Sequence, residues 1–133
     1  MPLQPTTLHA IARVFDALDY AALGPIYCHE GGDAFWEERR GPCQVFGTKL
    51  AGVLRNRLAP TGRSLYVGAG VAELPLLVME TLDLHRTVEA YNLRADEVSL
   101  LNRACAGLPF AFRARDAREA AGTFDHLWIV SVL

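Results

Sequence analysis

The chain has 133 residues, 51% of them hydrophobic and 21% charged, with 13 Lys and Arg against 15 Asp and Glu for a formal charge of −2. That length bounds the chain to one domain with a sizeable core, and the composition argues against disorder. The charge removes the electrostatic case for nucleic acid, which needs clustered Lys and Arg, and no apolar stretch is long and uninterrupted enough to suggest a membrane span.

The first predicted element is a helix over Thr7–Leu23, with Leu8, Ile11, Val14, Phe15, Leu18 and Ala22 at helical spacing. Thr6 or Thr7 would cap it and Gly24-Pro25 would stop it. A loop-like stretch, Tyr27 to Pro42, follows, punctuated by Gly31-Gly32 and Gly41-Pro42, with Asp33 placed to cap a short helix through Glu38. It holds Tyr27, His29, Glu30, Trp36, Glu37 and Glu38, groups that would either gate a pocket, contact an acceptor, or form a plain connector. Val45, Phe46, Leu50, Val53, Leu54 and Leu58 then predict a second amphipathic helix, ended by Pro60 and Gly62.

After Gly62 strands and helices alternate. Ser64–Val67 reads as a short buried strand, and Ala72–Leu84 as a helix with Pro75 in its first turn, where a missing N–H is harmless. Thr87–Tyr91 is a second strand, Arg94–Ala106 a helix closed by Gly107 and Pro109, and Phe110–Arg115 a third strand. Ala117–Ala121 reads as a helical turn and His126–Leu133 as a fourth strand. This alternation predicts an α/β protein with a parallel sheet wrapped by helices. Residues 1–62 form a helical cap and lead-in; residues 63–133 form the sheet region.

Cys28, Cys43 and Cys105 contain no CxxC and leave one thiol over in any pairing scheme, which points to a reducing cytoplasm. No basic region followed by an apolar core marks the amino terminus as a secretory signal. Cys28-His29 with Cys43 matches no zinc spacing, so no metal site is expected. Arg39-Arg40 and the Arg55, Arg57 and Arg63 group read as solvated faces.

In parallel sheets ligands sit beyond the carboxyl ends of the strands, where the strand order reverses. The turn Gly68-Ala69-Gly70 falls at that place. Residues without Cβ there allow a sharp turn or the close approach of a ligand, and the following helix start offers free N–H groups. A dinucleotide fingerprint would put its third glycine at position 73, which is Glu73, so a nicotinamide cofactor is disfavoured. A turn that binds nothing is the competing reading.

From Arg63 to Leu133 the chain resembles the amino-terminal half of class I, Rossmann-like S-adenosylmethionine-dependent methyltransferases. "LYVGAGVAE" is similar to the family's first motif. "VEAYNLRADEVSLLNRAC" is similar to its second strand, with the ribose-contacting end and the helix after it. "FRARDAREAAGTFDHLWIVSVL" is similar to its third strand, adenine-side loop and fourth strand. The resemblance implies strand order 3-2-1-4 and S-adenosylmethionine as cofactor. Gly68, Ala69 and Gly70 would then pass under its methionine and ribose portions. Tyr66 stands where the first motif has an acid, Ala72 where it has a third glycine, and Asn92 where an acid holds the ribose hydroxyls. The Asn92 amide donates and accepts but carries no charge, which implies a weaker hold on the ribose. Glu89 is an odd number of residues away and points to the other face of its strand. Asp116 and the Ala117 backbone fall where adenine is recognised, unless Asp116 only caps the turn after it; Leu93 or Phe112 would wall the purine.

The family continues past the fourth strand, so the resemblance implies either a further piece of chain or a second copy pairing with that apolar edge. "SVL" replaces the Asn/Asp-Pro-Pro-aromatic turn of members that methylate base amines, which favours a small-molecule acceptor over DNA or RNA. A non-catalytic domain that keeps the fold for assembly or ligand sensing is the alternative.

Overall fold

The computed structural model describes residues 2–130. Its centre is a four-stranded parallel sheet, as the alternation implies, in the order β3-β2-β1-β4 that the resemblance implies. The strands are β1 (Thr61–Val67), β2 (His85–Tyr91), β3 (Phe112–Arg113) and β4 (His126–Ile129). The expected last strand runs to Leu133, of which residues 131–133 lie outside the described residues. β3 is shorter than the expected Phe110–Arg115, while β1 and β2 each begin earlier than expected.

The amino-terminal region departs most from expectation. The single helix expected over Thr7–Leu23 is two, α1 (Pro5–Ala17) and α2 (Tyr20–Tyr27). Leu18 is extended between them, and the Asp19 carboxylate accepts the Ala22 N–H at 3.1 Å, a side-chain cap that starts a new helix. Gly24-Pro25 lies inside α2 and does not end it. A Cβ at Gly24 would collide with the Gly32 carbonyl, so this glycine serves the close return of the chain. The short helix expected through Glu38 is a 3-10 turn over Gly32–Trp36. α3 (Arg40–Arg55) starts earlier than Val45 and carries Gly41-Pro42 in its first turn, where the amides have no helical acceptor to lose. Val45, Phe46 and Val53 are not its core face. They are exposed, and Gly47 and Ala51 form the buried stripe, with Gly47 seated on the Pro75 ring.

Between β1 and β2 the helical run is composite: a 3-10 turn (Val71–Glu73), α4 (Leu74–Val78) and a π-turn (Met79–Asp83). The wider π-turn lies over the amino-terminal ends of the strands and carries two buried acids, Glu80 and Asp83. Asp83 accepts from the Gln4 N–H and the Thr7 hydroxyl, both at 2.8 Å, and pairs with Arg55, which ties α1 and α3 to this turn. α5 (Ala95–Ala104) joins β2 to β3.

Right-handed crossovers from β1 to β2 and from β2 to β3 put α4 and α5 on one face of the sheet. Tyr66 and Ala90 point into that layer, where they join Ile11, Phe15, Leu76 and Leu101 in the core. The opposite face carries Arg63, Leu65, Val67, Leu127 and Ile129. The segment before β4 crosses it, with the Arg63 guanidinium bonded to the Ala121 and Thr123 carbonyls and stacked on Phe124. Leu127 and Ile129 on this face, at the edge strand, are more than half exposed.

Candidate functional site

The carboxyl ends of the strands are stitched together by single backbone bonds. β1 leaves the sheet through Gly68, whose φ of +71° is a left-handed conformation that favours glycine. The Ala69 N–H then donates to the Tyr91 carbonyl at 3.0 Å, and the Asn92 N–H to the Arg113 carbonyl at 3.0 Å. Two adjoining hollows open above these bonds. The larger, about 570 Å³, is walled by Gly68, Asn92, Leu93, Glu97, Asp116 and Ala117. The smaller, about 280 Å³, shares Gly68, Asn92 and Glu97 with it and adds Tyr27, Gly70, Val71, Glu73 and Val130.

Of the residues singled out in the sequence, Gly68, Gly70, Asn92, Leu93, Asp116 and Ala117 come together around these hollows. Three do not. Tyr66 is fully buried on the helical face, its hydroxyl donating to the Glu80 carboxylate, and burial pushes its pKa up. Ala69 is fully buried and offers only its carbonyl, which Asn92 occupies. Phe112 packs edge-on against Phe110 in the core, so the apolar wall of the larger hollow falls to the exposed Leu93.

Asn92 is almost wholly buried and its amide is fully engaged. Its Nδ2 donates to the Ala69 carbonyl and to Glu97 Oε1, each at 2.8 Å, and its Oδ1 accepts the Arg94 N–H at 2.8 Å. Glu97, buried in the first turn of α5, therefore sets a carboxylate beside the Asn92 amide on the wall of both hollows. Sequence alone does not single it out. Its signal was an acidic residue in the first turn of the helix after the second strand, a position that also suits an ordinary charge–dipole contact. Asp116 faces the larger hollow but caps its own turn: it accepts the Arg118 N–H at 2.9 Å and pairs with the Arg118 guanidinium at 2.9 Å. That pairing holds its carboxyl below the usual range.

The smaller hollow is bounded by a residue from far away in the chain. α2 and the 3-10 turn after it form an aromatic group in which Tyr27 meets Trp36 at 5.0 Å and Phe35 at 6.1 Å between ring centroids. The Tyr27 hydroxyl reaches the glycine turn and accepts the Val71 N–H at 3.0 Å, with the Glu97 carboxylate beside it. Burial, and then the Glu97 charge, push its pKa well up. A Cβ on Gly70 would run into this hydroxyl and lie 3.1 Å from Glu97 Oε2. Gly70 has a φ of −146°, so its want of a side chain answers to Tyr27 and Glu97, not to backbone strain. The Gly70 N–H donates to Glu73 Oε1 at 2.8 Å, and burial raises the Glu73 pKa despite that bond.

Among the described residues no group of three or more His, Cys, Asp or Glu is placed to hold a metal ion, and no helix is long and apolar enough to cross a membrane. Ser64, His126 and Glu80 do come together, with Ser64 Oγ 3.3 Å from His126 Nδ1, but Ser64 is fully buried and cannot meet a substrate. No family model matches the chain, and neither the curated proteins nor the solved structures contain a match to it.

Proposed function

We propose that the paired hollows bind S-adenosylmethionine and that the protein directs its methyl group to a small-molecule acceptor. The observation that carries this reading is that both hollows, at the carboxyl end of the central strand, are lined by Gly68, Asn92 and Glu97. The larger hollow has room for an adenosine, with Leu93 beside the base and Asp116 and Ala117 at its far edge. The smaller one adjoins it, over Gly70, and would receive the 5′ substituent. The cofactor supplies the reactive methyl group, so the protein needs only to align the partners and exclude water. Carboxylates at Glu73 and Glu97 suit a sulfonium better than a pyrophosphate, which sets a nicotinamide dinucleotide apart. The net charge of −2 and this acidic lining favour a small acceptor over a nucleic acid.

Three free thiols fit a reducing compartment, and we place the protein in the cytoplasm. The outer edge of β4 is where a further strand or a second copy would pair. A second reading, a non-catalytic domain that keeps the fold for assembly or sensing, draws on a specific observation. The Asn92 amide and the Gly70 and Val71 N–H groups are already satisfied within the chain.

Calorimetry with S-adenosylmethionine, S-adenosylhomocysteine and NAD separates these readings. Binding of the first two, weakened in Asn92→Ala, is the expected result. Binding of NAD alone would sink the methyl-transfer reading, and binding of none of the three would favour the non-catalytic domain.

A further inference from the structure

We infer that Glu73 and Glu97 are specificity-determining residues of this cleft: their carboxylates tell a ligand with a positive charge at the 5′ substituent from an otherwise identical neutral one. The cleft thereby holds the sulfonium cofactor and releases its thioether product. The inference rests on the cofactor reading above and concerns the one atom at which cofactor and product differ in charge.

Both carboxylates converge on Gly70, in the wall of the smaller hollow. Glu73 Oε1 accepts the Gly70 N–H at 2.8 Å, and Glu97 Oε2 lies 3.1 Å from the point where a side chain on that glycine would begin. Glu97 also lines the larger hollow, so a ligand occupying both passes it. Nothing cationic answers the pair. No Lys, Arg or His lines the smaller hollow, and among the described residues neither carboxylate forms a salt bridge. Of the two hollows, Arg94 and Arg115 line only the larger, where Asp96 holds Arg94 at 2.8 Å. The Gly70 N–H and the Asn92 amide are neutral donors, which bond the two carboxylates without cancelling their charge. Burial pushes the Glu73 carboxyl above its usual range and the Glu97 charge adds to the effect, as expected without a counter-ion.

A fixed cation entering here gains two attractions in a partly dry setting, where charges interact more strongly than in water. A sulfonium carries such a charge and no N–H or O–H, so it is held by charge alone and needs no vacant acceptor. Methyl transfer removes that charge. The S–CH3 bond breaks with its electron pair left on sulfur, the methyl group replaces a proton on the acceptor, and that proton goes to solvent. The thioether that remains meets the same carboxylates without attraction. The adenosine and the zwitterionic amino-acid tail are common to both species, so their contributions cancel in the comparison.

The test uses three ligands that share the adenosine and the tail: S-adenosylmethionine, its neutral thioether S-adenosylhomocysteine, and sinefungin, which carries a protonated amine on carbon in place of the methylated sulfur. Calorimetry on the full chain should find the two cations bound about tenfold more tightly than the thioether, or better. Glu73→Gln keeps a carbonyl oxygen for the Gly70 N–H, and Glu97→Gln keeps one for Asn92. Each should cut the preference about threefold or more by weakening the cations, with S-adenosylhomocysteine affinity unchanged. A variant that merely disturbed the fold would weaken all three alike and leave the preference intact. A preference intact in both variants, or S-adenosylhomocysteine bound as tightly as S-adenosylmethionine by the unaltered chain, overturns the inference and leaves the cofactor reading standing. If none of the three binds, the cofactor reading falls and this inference falls with it.

Discussion

At the amino-terminal ends of the strands, Glu80 accepts from Arg86 Nε at 2.7 Å, from the Ser64 hydroxyl at 2.5 Å and from Tyr66, with no exposed surface on either charged side chain. Arg86 spends its other nitrogens on the Ala59 and Thr61 carbonyls, Ser64 and Asp125. At the carboxyl ends, Glu97 is buried and Glu73 half-buried, yet they accept from the Asn92 amide and the Gly70 N–H, and among the described residues neither forms a salt bridge. The difference is visible in their acidity. Burial pushes Glu80 up, but hydrogen bonds from His126, Ser64, Tyr66 and Arg86 outweigh it and hold its pKa below the usual value; at Glu73 burial prevails and the pKa rises. One end is a finished polar core, and the other keeps carboxylates beside open space, as a site for a cationic ligand would.

The largest effect should come from breaking the finished end. Glu80→Ala takes the fully buried carboxylate from Arg86 Nε and leaves the buried Ser64 and Tyr66 hydroxyls without their acceptor, and should cost about 3–5 kcal/mol in urea unfolding. Pairing Glu80→Leu with Arg86→Met should recover part of that loss, because no buried charge is left unpaired although the Ser64 and Tyr66 hydroxyls still lose their partners. Glu73→Gln should cost much less, since its charged form is disfavoured in the fold already. If Glu80→Ala proved no worse than Glu73→Gln, the contrast between the two ends would be empty.

A pH series sharpens the same contrast through opposite signs. Glu80 and Asp83 have folded pKa values below their ordinary 4.5 and 3.8, so their contribution is full above those values and drains away as the pH falls through the folded ones. Glu73 has a folded pKa above 4.5, so its ionisation opposes folding, and stability recovers as the pH falls from neutral towards 4.5. The urea midpoint should therefore rise on mild acidification and then drop in stronger acid. In Glu73→Gln the rise should shrink while the drop persists; a midpoint that falls steadily from neutral pH in the unaltered chain would contradict the raised Glu73.

The sheet was legible because strand and helix alternate in the chain itself, from Ser64 through His126, and right-handed crossovers leave few ways to arrange four parallel strands. Gly68 and Asn92 were legible for a related reason: each sits directly at a strand end, so its place follows from the strand's. Helix limits near the amino terminus were not, because a lone Asp19 decides between one helix and two, and because Pro25 and Pro42 stand inside helices. Tyr66 stands where the motif has its acid, but strand alternation puts it on the same face as Ser64 and into the core. Tyr27 stood in the sequence only as one polar residue among several in the cap. Its contact with Val71 depends on how α2 docks, and no local pattern encodes that.

The smallest effect concerns the open end alone and asks what its second glycine is for. Gly68 adopts a φ of +71°, so Gly68→Ala should be destabilising by about 1 kcal/mol whatever surrounds it. Gly70 has an ordinary extended φ, and the obstacle to a side chain there is the Tyr27 hydroxyl, with Glu97 behind it. Gly70→Ala should therefore cost about 1–3 kcal/mol in the unaltered chain, as an overpacked contact does, with the tyrosine displaced from the Val71 N–H. In a Tyr27→Ala background most of that cost should vanish, because the added methyl group then occupies space the ring has left. Urea unfolding of the four chains in this cycle gives the coupling directly, and it should reach about 1 kcal/mol or more for two groups in contact. A Gly70→Ala cost that is the same with and without the tyrosine would mean that the bare backbone at this turn answers to something other than the cap.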